Sequence, residues 1–214
     1  MIRVCCYVDG FNVYHAIDDV SRARRGAINH LKWLDLMALM RCFIDPHAHQ
    51  IIAVNYFSAY MTWHPHREQR HREYIKALKF TGVKSVMGRF KDKDAYCKNC
   101  KTTYVAREEK ESDVNIATHL VSDAYEDIFD QAFLVTNDSD LLGPIRLVRD
   151  RFPDKRLKII APPFRSHSKE LWATATHRAA VKETHLQACL LPKTANLPDG
   201  SVAFTRPVEY DPSA

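Results

Sequence analysis

Asp138 and Asp140 stand two residues apart in Phe133-Leu134-Val135-Thr136-Asn137-Asp138-Ser139-Asp140-Leu141, where an apolar run stops and a helix-like Leu-Gly-Pro-Ile-Arg begins. That pattern is a strand delivering carboxylates to a sheet edge. Alone it carries little, because Asn, Asp and Ser are also the residues that cap the next helix. Two further acids change its weight. Asp9 closes a second apolar run, Arg3 to Val8, which lacks alternation and so reads as a parallel strand buried on both faces. Asp113 opens a helix running to about Glu126, with Ser112 as its expected N-cap, and shares a spacing of i, i+4, i+7 and i+11 with Ala117, Leu120 and Ala124.

Carboxylates brought together repel one another unless protons or cations neutralise them. Oxygen donors without a convincing histidine set favour Mg²⁺ or Mn²⁺ over zinc. Such an ion activates water and stabilises a departing alkoxide, which is the usual apparatus for cleaving a phosphodiester. Asp9 and Asp138 are the foremost candidates for metal ligands, Asp113 for a ligand or water-mediated partner, and Asp140 for ligand or general base. Glu109, one turn before Asp113, is placed to join the site, with a solvated side chain the favoured alternative. Ser139 and Asn137 are candidates for capping the helix after Asp138.

These acids need a scaffold. Strand-like runs at 3–8, 50–59, 83–87, 131–136 and 157–161 alternate with helical patterns near 13–20, 31–43, 67–80, 113–126 and 141–151. That order predicts an α/β three-layer sandwich on a mostly parallel sheet of about five strands. A site in such a sheet lies beyond the strand carboxyl ends, where strand order reverses. One domain over 1–191 is expected, with an insertion at 88–107 forming a loop or small hairpin, and 192–214 as an extended tail with room for one hairpin. Segments 166–175 and 184–191 suit short helices.

The 214 residues carry a formal charge of +5, with basic groups bunched at Arg22, Arg24 and Arg25, from Arg67 to Lys79, and from Arg89 to Lys101. Bunched cations suit a polyanion. Six glycines and no Gly-x-Gly-x-x-Gly after the first strand argue against a dinucleotide cofactor. No export signal or bilayer-length apolar run is present, so a soluble cytoplasmic protein with reduced cysteines is expected. Cys97 and Cys100 form half of a zinc site, which His64 and His66 are the candidates to complete. Phe11, Tyr14, Tyr56, Tyr60 and Trp63 are aromatic enough to stack on bases, although core packing explains them as well.

Three stretches, Tyr7-Val8-Asp9-Gly10-Phe11-Asn12, Glu109-Lys110-Glu111-Ser112-Asp113-Val114-Asn115-Ile116-Ala117 and Leu134 to Leu141, together resemble the NYN-domain family, and most closely its LabA-like branch among the PIN-like nucleases. The resemblance covers about residues 1–175, with the three motifs in family order. It implies a PIN-like Rossmannoid sheet, metal-dependent ribonuclease activity, and an acidic site to which Asp9, Asp113, Asp138 and Asp140 correspond. Asn12 matches the polar residue after the first Asp, suited to orienting Asp9, a water or a phosphate. Asn137 stands where glycine is expected in many members. The implied partner is RNA, single-stranded or structured, with a homodimer allowed but not demanded. The alternative is a non-catalytic RNA-binding or scaffold protein that keeps the fold.

Overall fold

The apolar run before Asp9 forms strand β1 (Ile2–Asp9), with Val4 to Val8 buried. The structure is a computed structural model that describes residues 1–212. After β1 come helix α1 (Gly10–Ala23), a 3₁₀ turn (Asn29–Lys32), α2 (Leu36–Arg41), β2 (His49–Ala59), α3 (Pro65–Phe80), β3 (Lys84–Cys97) and β4 (Thr102–Lys110). The second half adds α4 (Ser112–Tyr125), β5 (Gln131–Val135), α5 (Leu142–Arg151), β6 (Arg156–Ala161), α6 (Lys169–Thr174), β7 (His177–Ala180) and α7 (Glu183–Ala188). The sheet order is β4-β3-β2-β1-β5-β6-β7, parallel throughout except for the β3–β4 hairpin.

Alternate side chains of β1 divide the core between the two faces, as the period of two in a strand requires. Val4, Cys6 and Val8 pack with Val13 and Ile17 of α1, Leu36 and Leu39 of α2, and Ile75 and Leu78 of α3. Cys5 and Tyr7 pack with Ile116 and Leu120 of α4, Ile145 and Val148 of α5, and Leu171 of α6. The expected three layers and mostly parallel sheet are present, but with seven strands instead of about five. One extra strand comes from 88–107: β3 and β4 stay paired from Arg89↔Lys110 to Cys97↔Thr102, a long antiparallel arm instead of a loop or small hairpin. The other is β7, whose His-Arg-Ala-Ala carries no apolar run to announce it.

The helix expected over 31–43 is broken. Asp35 accepts a hydrogen bond from the Ala38 amide at 3.0 Å and starts α2 afresh. The break lets Trp33 turn fully inward, its indole N–H donating to the Pro192 carbonyl at 2.9 Å. Past 191 the chain forms the antiparallel pair β8 (Thr194–Asn196) and β9 (Val202–Thr205), and Phe204 and Tyr210 bury against Trp33, Ala77 and Leu191. No helix among the described residues is long and apolar enough to cross a membrane.

One backbone approach positions the junction that follows β1. A Cβ on Gly10 would lie 2.6 Å from the Phe57 carbonyl oxygen and 2.6 Å from the Tyr56 ring. Gly10→Ala must therefore push α1 off β2, at about 1–3 kcal/mol of overpacking. Thermal denaturation should show Tm lowered by several degrees; an unchanged Tm would mean the junction moves freely.

Candidate active site

β1 and β5 are hydrogen-bonded neighbours, with Val8 opposite Val135, at the point where strand order reverses. Their carboxyl ends bring Asp9 beside Thr136, Asn137 and Asp138. Asp9 is 3% exposed, and its carboxylate is held on both oxygens. Oδ1 accepts from the Asn12 amide at 3.0 Å, capping α1. Oδ2 accepts from Asn12 Nδ2 at 2.6 Å and from Thr136 Oγ1 at 3.1 Å. Burial pushes the Asp9 carboxyl up to about 6 against those hydrogen bonds, with the nearby charges of Asp113 and Asp138 adding to the rise.

Asn12 contacts more than Asp9. Its Oδ1 accepts from the Asn137 amide at 3.2 Å, tying the end of β5 to the end of β1. Asn137 in turn donates through Nδ2 to the Ser166 carbonyl at 2.9 Å and accepts from the Ser168 amide at 2.6 Å. An asparagine in place of glycine thus pins the loop before α6 to the site.

The cap after β5 is Asp138, not Ser139 or Asn137. Asp138 Oδ1 accepts from the Asp140 amide at 2.9 Å and starts a 3₁₀ turn (Ser139–Leu141) that leads into α5. Asp138 N–H donates to Thr136 Oγ1 at 3.1 Å, so one buried hydroxyl serves both strand ends. Thr136 was not singled out from sequence; its only signal is a hydroxyl at the end of an apolar strand.

At α4 the inward face is Ser112, Ile116, Leu120 and Ala124, while Asp113 stands one position round at half exposure. The expected N-cap, Ser112, lies inside the helix behind Glu111. Glu109 provides the cap instead, accepting from the Ser112 amide at 3.1 Å and its hydroxyl at 2.7 Å. Glu109 is thus part of the wall and not a solvated side chain. Burial raises the Asp113 carboxyl, reinforced by Asp138, Glu109 and Asp140.

Asp9, Asn12, Glu109, Ser112, Asp113 and Asp138 share one cleft with Phe11, His15, Met61 and Phe90. Asp140 does not line it; it sits exposed at the rim. Among the described residues no Lys or Arg lines the cleft, so the carboxylates face one another without a cation beside them. Hard oxygen donors raised by burial, with one another's charge adding to the rise, suit a divalent cation. Among the described residues no three His, Cys, Asp or Glu side chains stand close enough to hold an ion by themselves. An ion bound here would have to complete its shell with water.

The zinc expectation is not met. Cys97 and Cys100 lie at the tip of the β3–β4 arm, where Cys100 Sγ is 2.9 Å from Thr102 Oγ1, and no third ligand joins them among the described residues. His64 packs on Trp63, and Trp63 packs on Phe90 at the base of the arm, with ring centroids 4.7 Å apart. Seven residues of strand, roughly 23 Å at about 3.3 Å each, separate Phe90 from Cys97.

Many of the bunched cations are spent internally: Arg22 on Asp18, Arg24 on Glu183, Arg70 on Glu209, Arg72 on Glu68, Lys76 on Glu73, Arg89 on Glu111 and Lys93 on Glu108. Arg25, Arg67, Lys79, Lys91, Lys98 and Lys101 have no acidic partner within salt-bridge distance among the described residues. These six remain for a polyanion.

A family model described as the NYN domain matches residues 3–180. The chain is 24% identical, over 90% of its own length and 71% of the other's, to a Pseudomonas putida (strain DSM 28022 / S16) protein named 6-hydroxy-3-succinoylpyridine 3-monooxygenase HspA. Among solved structures it resembles a protein of unknown function from Vibrio parahaemolyticus RIMD 2210633, with a TM-score of 0.53 at 17% identity over 89% of this chain and 96% of that one. The structural likeness bears on the fold alone.

Proposed function

Because the chain belongs to the NYN-domain family, which is nuclease-like, we propose that it is a metal-dependent ribonuclease, acting in the cytoplasm as an endonuclease on RNA phosphodiester bonds. The observation that carries this reading is the convergence of Asp9, Asp113 and Asp138, from three separate elements, on a cleft with no lysine or arginine.

In this reading Asp9, Asp113 and Asp138 would hold Mg²⁺ or Mn²⁺ in part through its bound waters, since the three side chains do not close on one point. The ion, when bound, activates water for attack and stabilises the leaving oxygen. The chain's own contribution is placement. Asn12 and Thr136 fix the Asp9 carboxylate in one orientation and remove the reorganisation that a free side chain would need. Asp140, on the rim and open to solvent, would take the proton of the attacking water through an intervening water. Arg67 and the unpaired lysines of the β3–β4 arm hold the phosphate backbone, which makes binding salt-dependent.

The monooxygenase activity named for the Pseudomonas putida relative finds no dinucleotide-binding glycine motif at the β1–α1 junction of this chain. There Asp9 puts a carboxylate where a dinucleotide-binding fold offers glycine amides to a pyrophosphate. The test is cleavage of a circular single-stranded RNA, which only an endonuclease can open. The wild type should linearise it with Mg²⁺ or Mn²⁺ and not with EDTA, and Asp9→Asn should fail to do so. RNA binding without cleavage would instead favour the scaffold reading.

A further inference from the structure

A second cavity lies behind the ridge formed by Phe11, His15 and Met61, which line both it and the carboxylate cleft. Helix periodicity builds it. Phe11, Tyr14 and His15 fall at i, i+3 and i+4 on α1, while Arg67, Arg70, His71 and Tyr74 fall at i, i+3, i+4 and i+7 on α3. Both faces look over the carboxyl end of β2, where Tyr56, Ser58 and Ala59 form the floor. Tyr210, from the last turn of the described chain, closes the far wall.

The lining has two characters. Five aromatic side chains, Phe11, Tyr14, Tyr56, Tyr74 and Tyr210, surround a space of about 110 Å³, enough for one flat ring system. The polar groups among them are largely committed. Tyr74 donates to the Leu34 carbonyl at 2.8 Å, and Tyr56 pairs with His71 Nε2 at 3.3 Å. His71 is kept neutral, its pKa lowered to about 4 by burial and then by Arg72.

The cations do not balance. Arg22 and Lys32 both reach Asp18 at 2.5 Å, and Arg70 reaches Glu209 at 2.9 Å. Arg67, exposed on the first turn of α3, has no acidic partner among the described residues. An aromatic hollow whose four cations meet only two acids, with one guanidinium wholly unpaired among the described residues, has the chemistry of a site for a planar ring that carries an anion.

We propose that this cavity takes the base of a nucleotide of the RNA strand whose neighbouring phosphate lies in the carboxylate cleft, with Arg67 on that nucleotide's own phosphate. The inference rests on the ribonuclease reading for the source of the nucleotide. Stacking on aromatic rings tolerates any base, so the cavity positions the strand without selecting a long sequence.

The experiment is calorimetric titration of the Asp138→Asn protein in EDTA with adenosine and uridine 5′-monophosphates, ribose 5-phosphate and benzoate. Saturable binding of both nucleotides is expected, with ribose 5-phosphate at least about tenfold weaker, because stacking on one base carries that much affinity. Arg67→Ala, at an exposed position that leaves the core intact, should weaken nucleotide binding about tenfold by removing one charged phosphate contact. Tyr14→Leu should weaken it as well, and short single-stranded RNA should displace the nucleotide. Equal binding of ribose 5-phosphate, or unchanged affinity in Arg67→Ala, would overturn the inference. So would tight benzoate binding without nucleotide binding, or nucleotide that RNA cannot displace. Metal-dependent RNA cleavage without nucleotide binding would sink this inference alone; nucleotide binding without cleavage would sink the ribonuclease reading alone.

Discussion

Asp138→Asn is expected to lower metal-dependent RNA cleavage about a thousandfold while leaving the fold in place. The size follows from losing one charged ligand, worth several kcal/mol of transition-state stabilisation at about 1.4 kcal/mol per factor of ten. The fold should survive because the hydrogen bond that Asp138 makes is an acceptance by Oδ1 from the Asp140 amide, and an asparagine oxygen accepts in the same way. The change therefore separates charge from capping. Removing a negative charge from the cleft should also not weaken RNA binding, so single-turnover kinetics at saturating enzyme should show the loss in the rate constant and not in the half-saturating concentration. A loss under tenfold, with the circular-RNA activity otherwise intact, would take Asp138 out of the reaction. Asp140→Asn should cost less, since Asp140 is exposed and outside the cleft wall.

The second large effect is on stability against pH. Asp9 is pushed from 3.8 up to about 6 by burial. A carboxyl raised in the folded state binds more protons there than in the unfolded chain between those two values, so its contribution falls as pH rises through the window. Below about pH 4 Asp9 is protonated in both states and costs nothing; above about pH 6 it is charged in both and the full burial cost applies. About two pKa units correspond to roughly 3 kcal/mol. Other acids move the opposite way, Asp130 being lowered to about 2 by its bonds with Arg3. The measurement is therefore a difference: urea denaturation of wild type and Asp9→Asn, in EDTA, from pH 3 to pH 7. Whatever the offset between them, the difference should swing by roughly 3 kcal/mol towards the variant as pH rises. Mg²⁺ should recover part of that cost in the wild type at pH 7, and little of it at pH 4. A difference that is flat with pH would mean Asp9 is not desolvated as its burial indicates.

The parts of this molecule that were legible in the sequence are those where one residue type has one physical use. An apolar run without alternation has to be a strand covered on both faces, and β1 and β5 are such strands. A carboxylate at the end of each has to meet its neighbour if the strands are adjacent, as Asp9 and Asp138 do. Legibility failed where apolar periodicity is silent. The β3–β4 arm is charged along much of its length and exposed over most of it, so pairing and not burial holds it, and pairing leaves little trace in composition. At Asp35 and Glu109 a local cap overrode the helix pattern. The aromatic cavity was half legible: Phe11, Tyr14 and Tyr56 are candidates for stacking from sequence, while Tyr74 and Tyr210 look like ordinary core residues until the fold sets all five around one space.

The hydrogen bond from Thr136 to Asp9 spans 127 residues of chain. During synthesis Asp9 leaves the ribosome early and Thr136 much later, a delay of roughly ten seconds at about 5–20 residues per second. Until then β1 has no β5 beside it, and the carboxylate cluster does not exist. The cluster therefore assembles only after β5 has been made, and no fragment of the chain ending before Asp138 brings these carboxylates together.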